Sequence, residues 1–290
     1  MTASTTTVPP AVLDLITAAL QEDIADGDIT ARCFVSSERL ARATILAKAP
    51  GIVAGIPVAL AVFKTHDPAV TVRALRADGD AVQRGDAVMA LEGSARSILT
   101  AERTALNFLQ RLSGIATQTR RYVDAVAGTR TQILDTRKTT PGWRWLEKQA
   151  VRAGGGTNHR AGLFDMVMVK DNHLSVAGDL TEIEAGIHRA HALMPGIKIE
   201  IEADTVEQVR QFLTLRGVDI IMLDNMALDD MRTCVALAHG TGVKLEASGG
   251  VTLDRLPEIA ATGVDFISSG ALTHSVKALD LSLDFEGTAL

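Results

Sequence analysis

The chain has 290 residues, 47% of them apolar and 22% charged, with a formal net charge of −6. That length can bury the core of a barrel plus a smaller domain. With only 3% aromatic residues and an acidic balance, the chain lacks the basic, aromatic-rich face that a nucleic acid requires. Cys33 and Cys234 have no metal-ligand spacing, so neither a disulfide framework nor a cysteine metal site is implied. The longest apolar run, Gly51 to Phe63, is too short to span a bilayer and contains Pro57, so no membrane partner is expected. "MTASTTTVPP" lacks an apolar leader and reads as a disordered tail over residues 1–10, which implies a cytoplasmic location.

After that tail, "AVLDLITAALQEDI" carries apolar residues at helical spacing, and "EDIADGDIT" follows as an acidic turn. "TVRALRADGDAVQRGDAVMALEGSARSIL" alternates like short strands divided by Asp-Gly and Arg-Gly turns. "LTAERTALNFLQRLSGIATQTRRYVDAVAG" predicts a helix with Leu106, Leu109 and Leu112 on one side and an interruption at Ser113-Gly114. From about residue 130 the pattern becomes a strand-helix alternation. Six apolar segments recur: "TQILDTRK", "DMVMVKDN", "IKIEIEAD", "DIIMLDNM", "VKLEASGG" and "DFISSGAL". Apolar strands separated by amphipathic helices predict a parallel sheet, closed or partly open as a β/α barrel, with a doubly wound sheet as the alternative. The expected division is an N-terminal domain over residues 11–115, a barrel over 116–275, and a C-terminal segment over 276–290 returning to the first domain.

Each of the six segments ends in polar chemistry. In order they carry Arg137-Lys138, Lys170-Asp171-Asn172, Glu200 and Glu202, Asp224-Asn225, Ser248-Gly249-Gly250, and Ser269-Gly270-Ala271. The carboxyl ends of parallel strands converge on one face, so these groups are expected around one mouth. Glycine turns ahead of helices suit a phosphate. Glu200, Glu202 and Asp224 suit Mg²⁺ or sugar hydroxyls. Residues 200 and 202 share one side of their strand, so both could face inward. Arg137, Lys138, His159, Arg160 and Lys170 suit a substrate bearing several negative charges; His173 is as readily structural as functional. Residue chemistry alone also leaves open a Schiff-base aldolase using Lys138 or Lys170, and a non-catalytic sensor of a phosphate ligand.

"ILDTRKTTPGWRWLEKQAVRAGGGTNHRAGLFDMVMVKDNH" closely resembles the quinolinate phosphoribosyltransferase family. "EDIADGDIT", "ERTALNFLQRLSGIAT", "IIMLDNM", "EASGG" and "ISSGALTHS" follow in family order. The resemblance implies an α/β protein, an N-terminal α/β-sandwich domain followed by an open α/β barrel of the type II phosphoribosyltransferase kind. It implies transfer of phosphoribosyl from 5-phosphoribosyl 1-pyrophosphate to quinolinate with loss of CO₂, in NAD biosynthesis, with Mg²⁺ as cofactor. It further implies a homodimer or a hexamer in which Arg103 completes the neighbouring site. On this resemblance Arg103 of a second copy, Arg137, His159 and Arg160 form the quinolinate pocket, Lys138 lies between the base and the phosphoribosyl donor, and Thr136 binds substrate. Lys170 takes the pyrophosphate, Glu200 and Asp224 the ribose hydroxyls and Mg²⁺, and Ser248–Gly250 with Ser269–Ala271 the 5-phosphate. Lys138, Lys170, Glu200 and Asp224 are the catalytic set that it implies. The stretch between "IEIEAD" and "IIMLDN" is about three residues longer than the family pattern, which leaves Glu200 and Glu202 as alternatives for one role. Trp143 and Trp145 depart from the motif and are expected to change packing more than chemistry. Gly154–Gly156 are expected to let a loop fold over the barrel mouth, and "AGLFDMVMV" to run through the core.

Overall fold

The computed structural model describes residues 8–173 and 179–287. Most of the expected tail therefore lies outside the described residues, and Pro10 already opens a helix. The chain divides into two compact units. The first comprises Met1–Arg120, Thr140–Gly155 and Ser275–Leu290; the second comprises Arg121–Thr139 and Gly156–His274.

In the first unit, β1 (Leu40–Ala47), β3 (Thr71–Ala74), β5 (Ala87–Ser94) and β12 (Leu281–Phe285) form an antiparallel sheet in the order β12-β1-β5-β3, and β2 (Gly51–Ile52) pairs with β4 (Ala81–Val82). The C-terminal strand thus pairs with β1, through Ile45 opposite Leu283. Helices α1 (Pro10–Ile24) and α3 (Ile56–His66) bury Ile16, Val62 and Phe63. Acidic Asp28, in the "EDIADGDIT" turn, accepts the Ala31 N–H at 2.8 Å as N-cap of α2 (Ile29–Phe34) and accepts the Thr100 hydroxyl at 3.0 Å.

The long helix α4 (Ala95–Ala125) runs straight through Ser113-Gly114, where an interruption was expected. Both residues are small because other segments approach α4 there. Buried Ser113 accepts the Ala54 N–H through its Oγ at 3.0 Å, and a Cβ on Gly114 would overlap the Lys277 carbonyl oxygen. Local glycine propensity is outweighed by this packing.

Thr140–Gly155, read from sequence as barrel, groups with the first unit instead. Its anchor is Trp143, whose ring stacks on Phe108 with centroids 4.7 Å apart. Fully buried Glu147, on α5 (Arg144–Ala153), accepts the Thr140 hydroxyl at 2.8 Å and lies 3.7 Å from Arg111. Gly154 also differs from expectation. It is the buried C-cap of α5, with an ordinary φ of −72°, and a Cβ there would lie 2.5 Å from the Ala116 oxygen and 2.6 Å from Thr119 Cβ. Its role is close approach of α5 to α4.

In the second unit, six parallel strands follow the order β6-β11-β10-β9-β8-β7. They are β6 (Gln132–Leu134), β7 (Val167–Val169), β8 (Ile199–Ala203), β9 (Ile220–Asp224), β10 (Lys244–Ser248) and β11 (Phe266–Ser268). The order leaves β6 and β7 at opposite edges, so the barrel is open. Ile199, Ile201, Ile221, Leu223, Leu245, Ala247 and Ile267 are at most 1% exposed. They alternate with Glu200, Glu202, Met222, Asp224, Glu246, Ser248 and Ser268 on the opposite side. Each fully buried aliphatic side chain contributes about 1.5–3 kcal/mol, so this outer set fixes the register and thereby the inward polar set. The segment before β7 does not cross the core: Leu163 and Phe164 are 76% and 69% exposed, and only Val167–Val169 is strand. No helix among the described residues is long and apolar enough to cross a membrane.

Gly154→Ala is expected to cost about 1–3 kcal/mol through overpacking against α4, read as a lower denaturation midpoint. An unchanged midpoint would show that the two helices can separate freely.

Candidate functional site

The carboxyl ends of the six parallel strands surround a cavity of about 510 Å³. Thr136, Arg137 and Lys138 enter after β6, Met168 and Lys170 from β7, Glu202 from β8, and Met222 and Asp224 from β9. Glu246, Ser248, Gly249 and Gly250 come from β10 and the turn after it, Ser268 from β11, and His159 with Arg160 from the loop before β7.

The loop is placed by Asp135, a buried residue that sequence reading passed over. Its carboxylate accepts the His159 N–H at 2.8 Å, while the Thr157 N–H donates to the Ile133 carbonyl at 2.8 Å. His159 Nε2 then lies 2.9 Å from Glu200 and 3.5 Å from Glu246, both 0% exposed. Burial alone would lower the His159 pKa, but the two carboxylates outweigh it and raise it from 6.5 to about 9. Glu200 is raised above the ordinary carboxylate range, first by burial. The Arg160 N–H donates to His159 Nδ1 at 2.7 Å, so the ring already uses that nitrogen as an acceptor. The extra proton is therefore shared between Nε2 and Glu200, and the value belongs to that pair.

Arg160 is held with its guanidinium 3.4 Å from the Met166 carbonyl and from Met168 Sδ. Its pKa is lowered by burial and then by Arg137. Two guanidiniums that raise each other's energy favour a ligand of multiple negative charge. Lys138 is exposed, its N–H donating to the Thr136 hydroxyl at 3.0 Å.

Acids gather on β8 and β9. Ligand oxygens of Glu202, Asp204 and Asp224 lie within 4.8 Å of one another. Asp204 is fixed because Gln208, in the capping box of the following helix, accepts its N–H at 2.8 Å. Asp224 is raised by burial and then by Glu202. The Lys170 ammonium pairs with Glu202 at 2.7 Å. This set fits Mg²⁺: hard carboxylate oxygens in mutual reach, repelling one another in the absence of a cation. Sequence paired Glu200 with Asp224 for that purpose, whereas the structure brings Glu202 and Asp204 to Asp224. Glu200 lies two residues deeper on β8, against His159.

Gly249 and Gly250 have φ of +87° and +56°, a backbone that side-chain-bearing residues resist. Of the second expected phosphate loop, only the neighbouring Ser268 lines the cavity, its hydroxyl donating to Ser248 Oγ at 3.2 Å. Ser269 is buried and accepts the Ala271 N–H at 3.3 Å, and a Cβ on Gly270 would lie 2.9 Å from Lys138 Cδ. The helices after these turns span only Leu256–Ala260 and Ala271–His274, so an anion bound here would meet loop N–H groups rather than helix dipoles. His173 is outside the lining; its Nδ1 accepts the Lys170 N–H at 3.0 Å, a local tie. Arg103 is exposed on α4, in the first unit.

The pattern for "Quinolinate phosphoribosyl transferase, C-terminal domain" matches residues 115–284, and that for the N-terminal domain matches residues 28–113. The chain belongs to the quinolinate phosphoribosyltransferase family. It is 45% identical over 263 residues to a probable nicotinate-nucleotide pyrophosphorylase [carboxylating] of Bacillus subtilis, covering 91% of this chain and 89% of that one. It is 44% identical to the chloroplastic nicotinate-nucleotide pyrophosphorylase [carboxylating] of Oryza sativa, covering 94% and 77%. The crystal structure of NadC from Streptococcus pyogenes superposes with a TM-score of 0.90 at 39% identity, covering 97% and 99%. Within this phosphoribosyltransferase, the sandwich-plus-open-barrel architecture expected from sequence is the one observed.

The buried cluster makes stability fall with pH. The folded chain retains its extra proton to about pH 9, whereas an unfolded imidazole releases it near 6.5. The resulting contribution is full below 6.5 and is lost as pH rises through 9, up to about 3 kcal/mol. Denaturation midpoints across this range should fall, and less steeply in Glu246→Gln; equal slopes would contradict the shared proton.

Proposed function

We propose that this phosphoribosyltransferase joins quinolinate to 5-phosphoribosyl 1-pyrophosphate, releasing pyrophosphate and CO₂ and forming nicotinate mononucleotide for NAD biosynthesis. The observation that carries this reading is the pairing of Arg137 and Arg160 at one cavity with a separate acid cluster and a double-glycine turn. A dicarboxylate satisfies the first, and a sugar phosphate the other two.

Arg137 and Arg160 bind the two carboxylates of quinolinate and direct its ring nitrogen toward the sugar. Such approximation contributes up to ~7–11 kcal/mol in favourable geometry. Ser248–Gly250 and Ser268 receive the 5-phosphate. Asp224 and Glu202 accept the ribose hydroxyls and face the positive charge that grows at the anomeric carbon as pyrophosphate leaves. Lys170, beside Glu202, can extend its ammonium to the departing phosphate oxygens. Mg²⁺ would be held by Glu202, Asp204 and Asp224 and would offset charge on the pyrophosphate. After the nitrogen is quaternised, the adjacent C–CO₂⁻ bond breaks and its electron pair remains on a carbon next to N⁺, which then takes up a proton. Arg103 is assigned to the quinolinate pocket of a second copy in a homodimer, in keeping with its exposure.

The assay is formation of nicotinate mononucleotide from quinolinate, 5-phosphoribosyl 1-pyrophosphate and Mg²⁺, with nicotinate as control base. Product from quinolinate alone is expected; preference for nicotinate would overturn the reading. Arg160→Ala should weaken quinolinate by at least roughly tenfold while sparing the phosphoribosyl donor, since a charge-assisted pair is lost. Mixing Arg103→Ala with Lys138→Ala chains should restore activity in heterodimers. No recovery despite subunit exchange would show that each chain works alone.

A further inference from the structure

Asn225 follows the last paired residue of β9, where Asp224 stands opposite Ser248 of β10. Its φ is +54°, one of two positive values among non-glycine residues described. Asn is among the few side chains that accept this backbone, and the conformation costs energy unless the surroundings hold it. Here three contacts do so. The Asn225 N–H donates to the Ser248 carbonyl at 2.9 Å. Its side-chain Nδ2 donates to Asp224 Oδ2 at 2.9 Å. Its amide also fills the space over Gly249, where any Cβ would overlap it.

The side chain therefore works as a strut with two ends. The donor end takes a lone pair on one oxygen of Asp224 and so sets how that carboxylate faces the cavity. The other end rests on the Gly249-Gly250 turn, whose positive φ values bring backbone close to the cavity. Gly249 needs to be glycine twice over, for its φ of +87° and for the space the amide occupies.

We propose that Asn225 is a positioning residue that fixes the distance between the carboxylate of Asp224 and the Ser248–Gly250 turn, and thereby selects a ligand with a hydroxylated sugar and a phosphate one sugar-length apart. This deepens the proposed function and rests on it for the identity of the donor. The strut touches neither Arg137 nor Arg160 among the contacts described, so its removal acts on the donor and not on the dicarboxylate.

Two variants of the full chain test this. Asn225→Gly keeps the positive φ and removes the strut. Asn225→Asp keeps the size and sets a second carboxylate beside Asp224. The readouts are KM for each substrate, melting temperature, and calorimetric binding of ribose 5-phosphate without metal. Both folded variants should bind ribose 5-phosphate roughly tenfold or more weakly and show a matching rise in KM for the donor, the Asp variant more so, as expected for loss of a hydrogen bond to a charged group. KM for quinolinate should stay within about twofold. An unchanged donor KM in Asn225→Gly, or equal losses for both substrates, would overturn the proposal. Wild-type chain that binds ribose 5-phosphate in an Asn225-dependent way, yet forms no nicotinate mononucleotide, would overturn the proposed function and leave the strut in place.

Discussion

Two carboxylates, Glu200 and Glu246, stand fully buried inside the barrel unit, and His159 is what makes that tolerable. An isolated buried carboxylate costs several kcal/mol, and two together cost more unless a proton or a cation joins them. The cluster keeps one extra proton and ties three separate pieces of chain together: the loop carrying His159, strand β8 and strand β10. Arg160 is the next residue along that loop. Its place at the cavity follows from the burial of its neighbour, with Asp135 holding the loop backbone from the other side.

Above that floor, charge is divided. Arg137 and Arg160 oppose each other on one flank, and Glu202, Asp204 and Asp224 crowd on the other, with Lys170 against Glu202. Neither flank is at ease by itself. Burial and like charge lower the Arg160 pKa, and burial and like charge raise that of Asp224. Such opposed frustration is what a site shows when its ligands bring the missing charges. A dicarboxylate relieves the first flank. The divalent cation and sugar of the proposed function would relieve the second. Under the proposed function the reaction would require both at once, with the joined atoms where the flanks meet.

Much of this was legible from residues. Six polar strand ends in a row pointed to one mouth, since parallel strands share a direction and their ends share a face. The parts that escaped have physical reasons. Glu200 and Glu202 point to the same side of β8, and pattern alone cannot tell a layer about 7 Å deeper from the layer above it. Glu246, inside "VKLEASGG", goes unmarked in the sequence, because a buried acid is recognisable only once its partner is placed. Ser113-Gly114 looked like a break in α4, and Gly154 like a lid hinge. Both are close-packing sites, and nothing local records which segment will come near. Thr140–Gly155 has the amphipathic pattern of any helix, which shows that it buries a face but not against what. Asn225 is legible as part of a polar strand end, but the positive φ that makes it a strut is not.

The division of the mouth is tested most directly by calorimetry in the absence of the phosphoribosyl donor and of metal, comparing quinolinate with nicotinate. If the flank formed by Arg137 and Arg160 is built for two carboxylates, quinolinate should bind at least roughly tenfold more tightly, the worth of one further charge-assisted pair. Equal affinity for the two acids would contradict it.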